Sequence, residues 1–214
     1  MPTSLKPVLS QNLIIETGLE LVGETGVDGL SFRKLAERLG VTPMALYRHF
    51  DDKQALLTAL LDAFITQADV LPKTQLPWDE WLVYVSEGMY QALLEEPSWL
   101  SVLGSIPMRQ ASFNVLDACL QILVDAGFTH EQTVKIFVGM LQCVFGAALT
   151  HSQLRANELM DGLDFHLFPA MQDALPAMLL LNQDSHLYFA LVPMLEGLRR
   201  QLAEQTGNVT RLVR

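Results

Sequence analysis

Apolar residues recur at steps of three and four along most of the chain, and no run alternates apolar with polar residues between hairpin turns. That period predicts an all-α fold. Ile14, Thr17, Gly18, Leu21 and Val22 share one face of a first helix, opened by Ser10 as N-cap and closed by Gly26. Ser31 opens a second helix that turns Leu35, Ala36 and Leu39 inward and stops at Gly40. Thr42 before Pro43 starts a third, anchored by Leu46 and Phe50, with the Thr42 hydroxyl expected to satisfy an orphan amide. Asp51, with Gln54 three residues on, predicts the start of a fourth, which carries Leu56, Leu57, Leu60, Leu61 and Phe64 to about Leu71.

Pro72 and Pro77 then interrupt the pattern, which predicts two domains, residues 1–71 and 72–214. Further helices are expected near 78–95, 97–105, 108–126, 130–157, 166–181 and 185–205, with Pro97, Pro107, Gly127 and Gly162 near the breaks. Thr129 and Gln132 form a capping-box pattern ahead of the longest of these. Pro193 should kink the last helix or delay its start.

Composition narrows the class. Half of the 214 residues are hydrophobic and 18% are charged, ample apolar material for a packed core. The uncharged stretch from Ile136 to Leu154 is interrupted by Gln142, and its apolar part suits a buried helix better than a membrane span. Pro7, Ser10, Gln11, Asn12 and Glu16 break up any signal-peptide core after Lys6, so a cytoplasmic protein is expected. Cys119 and Cys143 have neither C-x-x-C spacing nor partner histidines, and the histidines (49, 130, 151, 166, 186) share no metal-ligand spacing. With no nucleophile elbow, P-loop or dinucleotide fingerprint, no enzyme, metal or cofactor is expected.

The net charge of −10 argues against a nucleic-acid partner, but its distribution does not. From Ser31 to Lys53, Arg33, Lys34, Arg38, Arg48 and Lys53 face Glu37, Asp51 and Asp52, a local +2 against −12 elsewhere. Two short helices joined by a glycine-containing turn over Ser31–Phe50 fit a helix-turn-helix, although a helical hairpin that merely packs has the same outline.

Residue identities go further. The stretch TGVDGLSFRKLAERLGVTPMALYRHFDDKQALL, Thr25 to Leu57, resembles the DNA-binding signature of the tetracycline-repressor (TetR) family: R-x-L-A-x-x-L-G-V, then L-Y-x-H-F and K-x-x-L. A weaker resemblance continues in Gly127–Phe128 and in Gly146 to Leu149. The resemblance implies a homodimeric, ligand-responsive transcriptional repressor on a pseudo-palindromic operator, with an N-terminal three-helix DNA-binding domain and a helical ligand-binding and dimerisation domain. Pro43, Met44 and Ala45 would meet thymine methyls, with Arg48 and Arg33 as base readers. Tyr47, His49 and Lys53 match positions that contact phosphate, and Thr42 can add a hydroxyl. Lys34 and Arg38 are equally readable as solvated charges. Phe32 is bulkier than the small polar residue often found at its position.

In the sensor half, Trp81, Met89, Trp99, Met108, Phe113, Phe137, Met140 and Phe145 lie in segments that surround the family's pocket, with Gln110, Asn114 and Gln142 as polar anchors. An apolar or aromatic effector follows if they line it rather than the core. Tetracycline-type members hold a magnesium–drug chelate with histidines, whereas Asp69, Leu103 and Gln142 stand near the matching places here, so a metal chelate is not expected. The small-residue ridge Gly139, Cys143, Gly146 and Thr150 suggests a face toward a second subunit. Leu187, Leu191, Met194, Leu198 and Leu202 form a stripe on the last helix, and in the family the two long C-terminal helices build the dimer. The rival reading is a helical ligand-binding or scaffolding dimer without DNA binding, supported by the acidic charge.

Overall fold

The computed structural model describes residues 9–153, 167–180 and 186–212, and among these every regular element is helical. The helices are α1 (Gln11–Thr25), α2 (Phe32–Leu39), α3 (Pro43–Leu46), α4 (Lys53–Ala68), α5 (Trp78–Glu95), α6 (Gln110–Ala126), α7 (His130–Gln153), α8 (Pro169–Leu180) and α9 (His186–Leu212), with a 3₁₀ turn at Pro97–Ser101. The all-α expectation holds. The predicted helix ends at 157, 166, 181 and 185, and Gly162, lie outside the described residues.

Local chemistry sets most helix starts. Ser10 Oγ accepts the Leu13 amide at 3.2 Å, and Ser31 Oγ accepts that of Lys34 at 3.3 Å. Thr129 and Gln132 make the reciprocal box: the Thr129 amide donates to Gln132 Oε1 at 2.8 Å, and the Gln132 amide to Thr129 Oγ1 at 3.3 Å. Gly40 closes α2 at φ 65°, where a side chain would be strained.

Two expected caps need correction. The fourth helix is capped one residue later, by Asp52, whose carboxylate accepts the Ala55 amide at 2.7 Å; Gln54 instead donates to the Ser105 carbonyl at 3.2 Å. Thr42 is the N-cap of α3 by backbone conformation alone, because its side chain makes no capping bond and Pro43 occupies the first turn. The fourth helix also ends earlier than expected, at Ala68, with Asp69 in the left-handed conformation at φ 43°.

The chain forms two compact units, and the division is not the single cut expected near residue 71. One unit is residues 1–69 together with 98–114, the other 70–97 together with 115–214. Segment 98–114 joins the first because α4 supplies its partners: Phe64 stacks on Trp99 with centroids 5.2 Å apart, and Asp62 Oδ1 accepts the Ala111 amide at 2.8 Å. In this unit α1 buries Ile14, Thr17, Gly18, Leu21 and Val22, the face read from the sequence, and Gly18 lets the Leu60 side chain approach closely.

In the second unit α7 is central, packing on α5 and α9. By length and composition α7 could cross a membrane. Thr133, Ile136, Phe137, Met140, Val144, Ala147 and Ala148 are nevertheless buried on it, which makes it a core helix on that face. Trp78 meets Phe128 edge-on at 5.2 Å, and Arg199 Nε donates to Asp79 Oδ2 at 2.8 Å, tying α9 to the first turn of α5. The last helix starts at His186 and runs through Pro193 instead of starting after it.

Candidate nucleic-acid interface

The helix-turn-helix is built from α2 and α3 on a base of α1. Leu35 and Leu46 are fully buried and Ala36 nearly so, fixing the two short helices to the unit's core. Helix α3 is a single turn, followed by bonds from the His49 and Phe50 amides to the Leu46 carbonyl at 2.9 and 3.0 Å. A one-turn helix has little stability of its own. It is held from outside by buried Leu46 and Phe50, and by Gln11 at the start of α1, whose Nε2 donates to the His49 carbonyl at 3.2 Å.

The predicted DNA-contacting side chains all reach the surface of this unit. Arg33, Thr42, Pro43, Met44, Tyr47, Arg48 and Lys53 are exposed, and Ala45 and His49 half-buried. Met44 stands out: it is 71% exposed on the turn that would meet a groove, with no core role to explain an apolar residue. Arg38 does not belong with them. Its guanidinium makes a two-pronged ion pair with the Glu24 carboxylate, Nη1 to Oε2 at 2.8 Å and Nη2 to Oε1. The pair raises the Arg38 pKa and lowers that of Glu24, in each case chiefly through the hydrogen bond between them. Lys34 is exposed.

Sequence reasoning missed two contacts that shape this surface. One is the Gln11–His49 bond. The other is a stack of Phe32 on Tyr47, with centroids 4.5 Å apart and planes within 15°. Neither has a local signal, because the partners are 38 and 15 residues apart.

The eight residues expected around an effector divide between the units. Trp99, Met108 and Phe113 lie in the first, where Trp99 is buried and the other two are exposed. Trp81, Met89, Phe137, Met140 and Phe145 lie in the second, with Trp81, Phe137 and Met140 buried and Met89 and Phe145 half-buried. Of the expected anchors, Gln110 donates to Asn114 at 2.8 Å, and Gln142 is exposed on α7. The second unit adds polar groups that periodicity did not flag. Tyr90 Oη lies 3.4 Å from His151 Nδ1, and the His151 ring meets His186 edge-on at 5.8 Å. Burial pushes the Cys119 thiol up to about 12, so it stays protonated at neutral pH.

The residues expected at the dimer faces divide between core and surface: Gly146 is exposed, and Cys143, Thr150, Met194, Leu198 and Leu202 are half-buried. Gly139 packs against Met194 of the same chain, and Leu187 and Leu191 are buried within it. The exposed apolar residues are Val134, Val138 and Leu149 on α7, in line with Gln142 and Gly146, and Tyr188, Phe189 and Val192 on α9.

A surface of exposed basic, hydroxyl and apolar side chains on a helix-turn-helix defines a DNA-binding regulator. Comparison with known proteins gives the family. Residues 14–60 match the model of the bacterial regulatory proteins of the tetR family, and residues 71–202 match that of the tetracyclin repressor-like C-terminal domain. The chain is 35% identical over 143 residues to the class A tetracycline repressor from transposon 1721 of Escherichia coli, covering 66% of each chain. It is 27% identical over 204 residues to the class E repressor of the same organism, covering 92% of this chain and 94% of the relative. A possible TetR family regulator from Streptomyces coelicolor superposes with a TM-score of 0.79 at 25% identity, covering 89% of this chain and 99% of its own. TetR from Acinetobacter baumannii superposes at 0.70 with 27% identity, covering 91% and 98%. The chain belongs to the TetR family and is a DNA-binding transcriptional regulator.

Proposed function

We propose that this chain is a ligand-responsive, cytoplasmic repressor that binds a pseudo-palindromic operator as a homodimer and releases it when a mostly apolar or aromatic effector binds. Residues 1–71 carry DNA binding, and the part of 72–214 that lies in the second unit, 72–97 and 115–214, carries effector binding and dimerisation. The observation that carries the reading is the exposed set Arg33, Thr42, Met44, Tyr47, Arg48 and Lys53 on a fixed helix-turn-helix. Pro43, Met44 and Ala45 meet thymine methyls, Arg33 and Arg48 read base edges, and Thr42, Tyr47, His49 and Lys53 hold phosphate. Two copies read two half-sites, which gives a short recognition helix useful specificity.

The effector is bound in the second unit, among Trp81, Met89, Phe137, Met140 and Phe145. A relative from Acinetobacter baumannii, 26% identical, has been solved with minocycline. The matching places here do not suit a metal chelate: Asp69 caps α4 in a left-handed turn, and neither Leu103 nor Gln142 supplies an imidazole. Release requires that the effector favour the state with lower operator affinity, and α4, which starts beside α3, is the element whose displacement would change the recognition-helix spacing.

The direct test is binding of the purified protein to DNA immediately upstream of its own gene, at low and physiological salt. Tight binding that Arg48→Ala and Tyr47→Ala each clearly weaken is the expected result. No binding at low salt would contradict it.

A further inference from the structure

We propose that Phe32 is a positioning residue for DNA binding, a fixed platform that holds the Tyr47 ring in its DNA-contacting orientation before DNA arrives. The inference rests on the reading of Tyr47 as a phosphate contact. Phe32 is the first residue of α2 and is 8% exposed, so its ring is set by the core and has little freedom. Tyr47 ends the one-turn α3 and is 48% exposed. The rings lie nearly parallel, 4.5 Å between centroids. One face of Tyr47 is therefore covered by a buried ring on the other helix of the motif, while about half of the residue stays open to a ligand.

Without that contact the Tyr47 side chain would stand at the end of a helix too short to restrict it. A mobile tyrosine must be ordered on binding, and ordering a side chain subtracts from affinity. The stack makes that ordering part of folding instead. Because the ring is planar and the contact is face to face, it limits rotation about both side-chain torsions, which a methyl or a single aliphatic branch would not do. It also ties the end of α3 to the start of α2 across the turn, as the Gln11–His49 bond ties the residues after α3 to the start of α1.

The prediction separates Phe32 as a platform from Phe32 as plain core. Phe32→Leu and Phe32→Met keep an apolar side chain of similar bulk in the buried site, so the test does not depend on one variant folding. Binding is measured on a duplex selected by the wild-type chain from a randomised pool, with thermal melts for each protein. With Tyr47 present, loss of the ring should weaken binding roughly three- to tenfold for each recognition helix engaged. In a Tyr47→Ala background the same substitution should change affinity little, and Phe32→Tyr should bind as the wild type does. Equal losses in both backgrounds would show that Phe32 supports the whole motif, and no loss in either would show that the stack is idle; each overturns the proposal. If Tyr47→Ala alone binds as tightly as wild type, the phosphate reading of Tyr47 fails first and takes the platform with it.

Discussion

The carboxylate of Asp62, in the middle of α4, accepts the backbone N–H of Ala111 at 2.8 Å and so caps the first turn of α6 from a distance of 49 residues. An anion at a helix N-terminus satisfies an orphan amide and opposes the positive end of the helix dipole. Asp62→Ala should therefore cost about 1 to 2 kcal/mol of stability, and Asp62→Asn less, since an amide oxygen can still accept. Urea denaturation of the purified proteins checks this; equal stability of all three would mean that the bond is replaced by water.

Arg38 and Arg48 are both exposed arginines in the basic window, yet only one is committed elsewhere. The Glu24 carboxylate holds both prongs of the Arg38 guanidinium. Arg48→Ala should weaken operator binding by about 1 to 3 kcal/mol and relax specificity at one base pair, whereas Arg38→Ala should leave affinity and its salt slope near wild type. Titrations at several salt concentrations separate the two.

Gly40 adopts φ 65° at the end of α2, with no neighbouring atom within 4 Å of where a Cβ would stand. Gly40→Ala therefore meets backbone strain without a clash. The expected loss is about 1 kcal/mol, set by the left-handed conformation and not by packing. A thermal melt reads it, and an unchanged midpoint would place the glycine's value elsewhere.

Much of this was legible from short spacing. Ser10, Ser31 and the Thr129–Gln132 box act on amides three residues away, so sequence order alone brings the partners together. The buried face of α1 followed from the helical period for the same reason. The contacts that were not legible join residues far apart: Glu24 with Arg38, Phe32 with Tyr47, Asp62 with Ala111. Periodicity shows that a face is apolar but not which helix covers it. On α7 and α9, apolar on more than one side, the residues read as dimer-facing divide: Leu187 and Leu191 are fully buried, whereas Gly146 is exposed and Leu198 half-buried.

Asp79 and Arg199 make the second unit sensitive to acid. Burial of Asp79 disfavours its charged form, but its hydrogen bond to Arg199 and those from the Glu80 amide and its own outweigh that, and the pKa falls below the ordinary 3.8. A carboxyl depressed on folding contributes stability that is complete above its unfolded pKa and fades as pH drops through the folded value. Wild type should thus lose more stability than Arg199→Ala on acidification below about pH 4, while the variant is weaker by about 0.5 to 1 kcal/mol at neutral pH. Denaturation curves at pH 7 and at acid pH check both parts; parallel pH profiles would sink the assignment.

The exposed stripe on α7 and α9 gives the sharpest test of assembly. Val138 and Val192 are 46% and 43% exposed, and Val134, Leu149 and Phe189 are exposed on the same two helices. If two copies bury these faces against each other, a charge placed there is carried into a desolvated interface twice, once from each subunit. Val138→Glu and Val192→Glu should then shift sedimentation from dimer toward monomer and weaken operator binding, since one recognition helix reads only a half-site. Leu191→Glu is the contrast, because Leu191 is wholly buried and its change should unfold the second unit rather than split a dimer. A Val138→Glu protein that still sediments as a dimer would remove this face of α7 from the interface and leave the assembly to other surfaces.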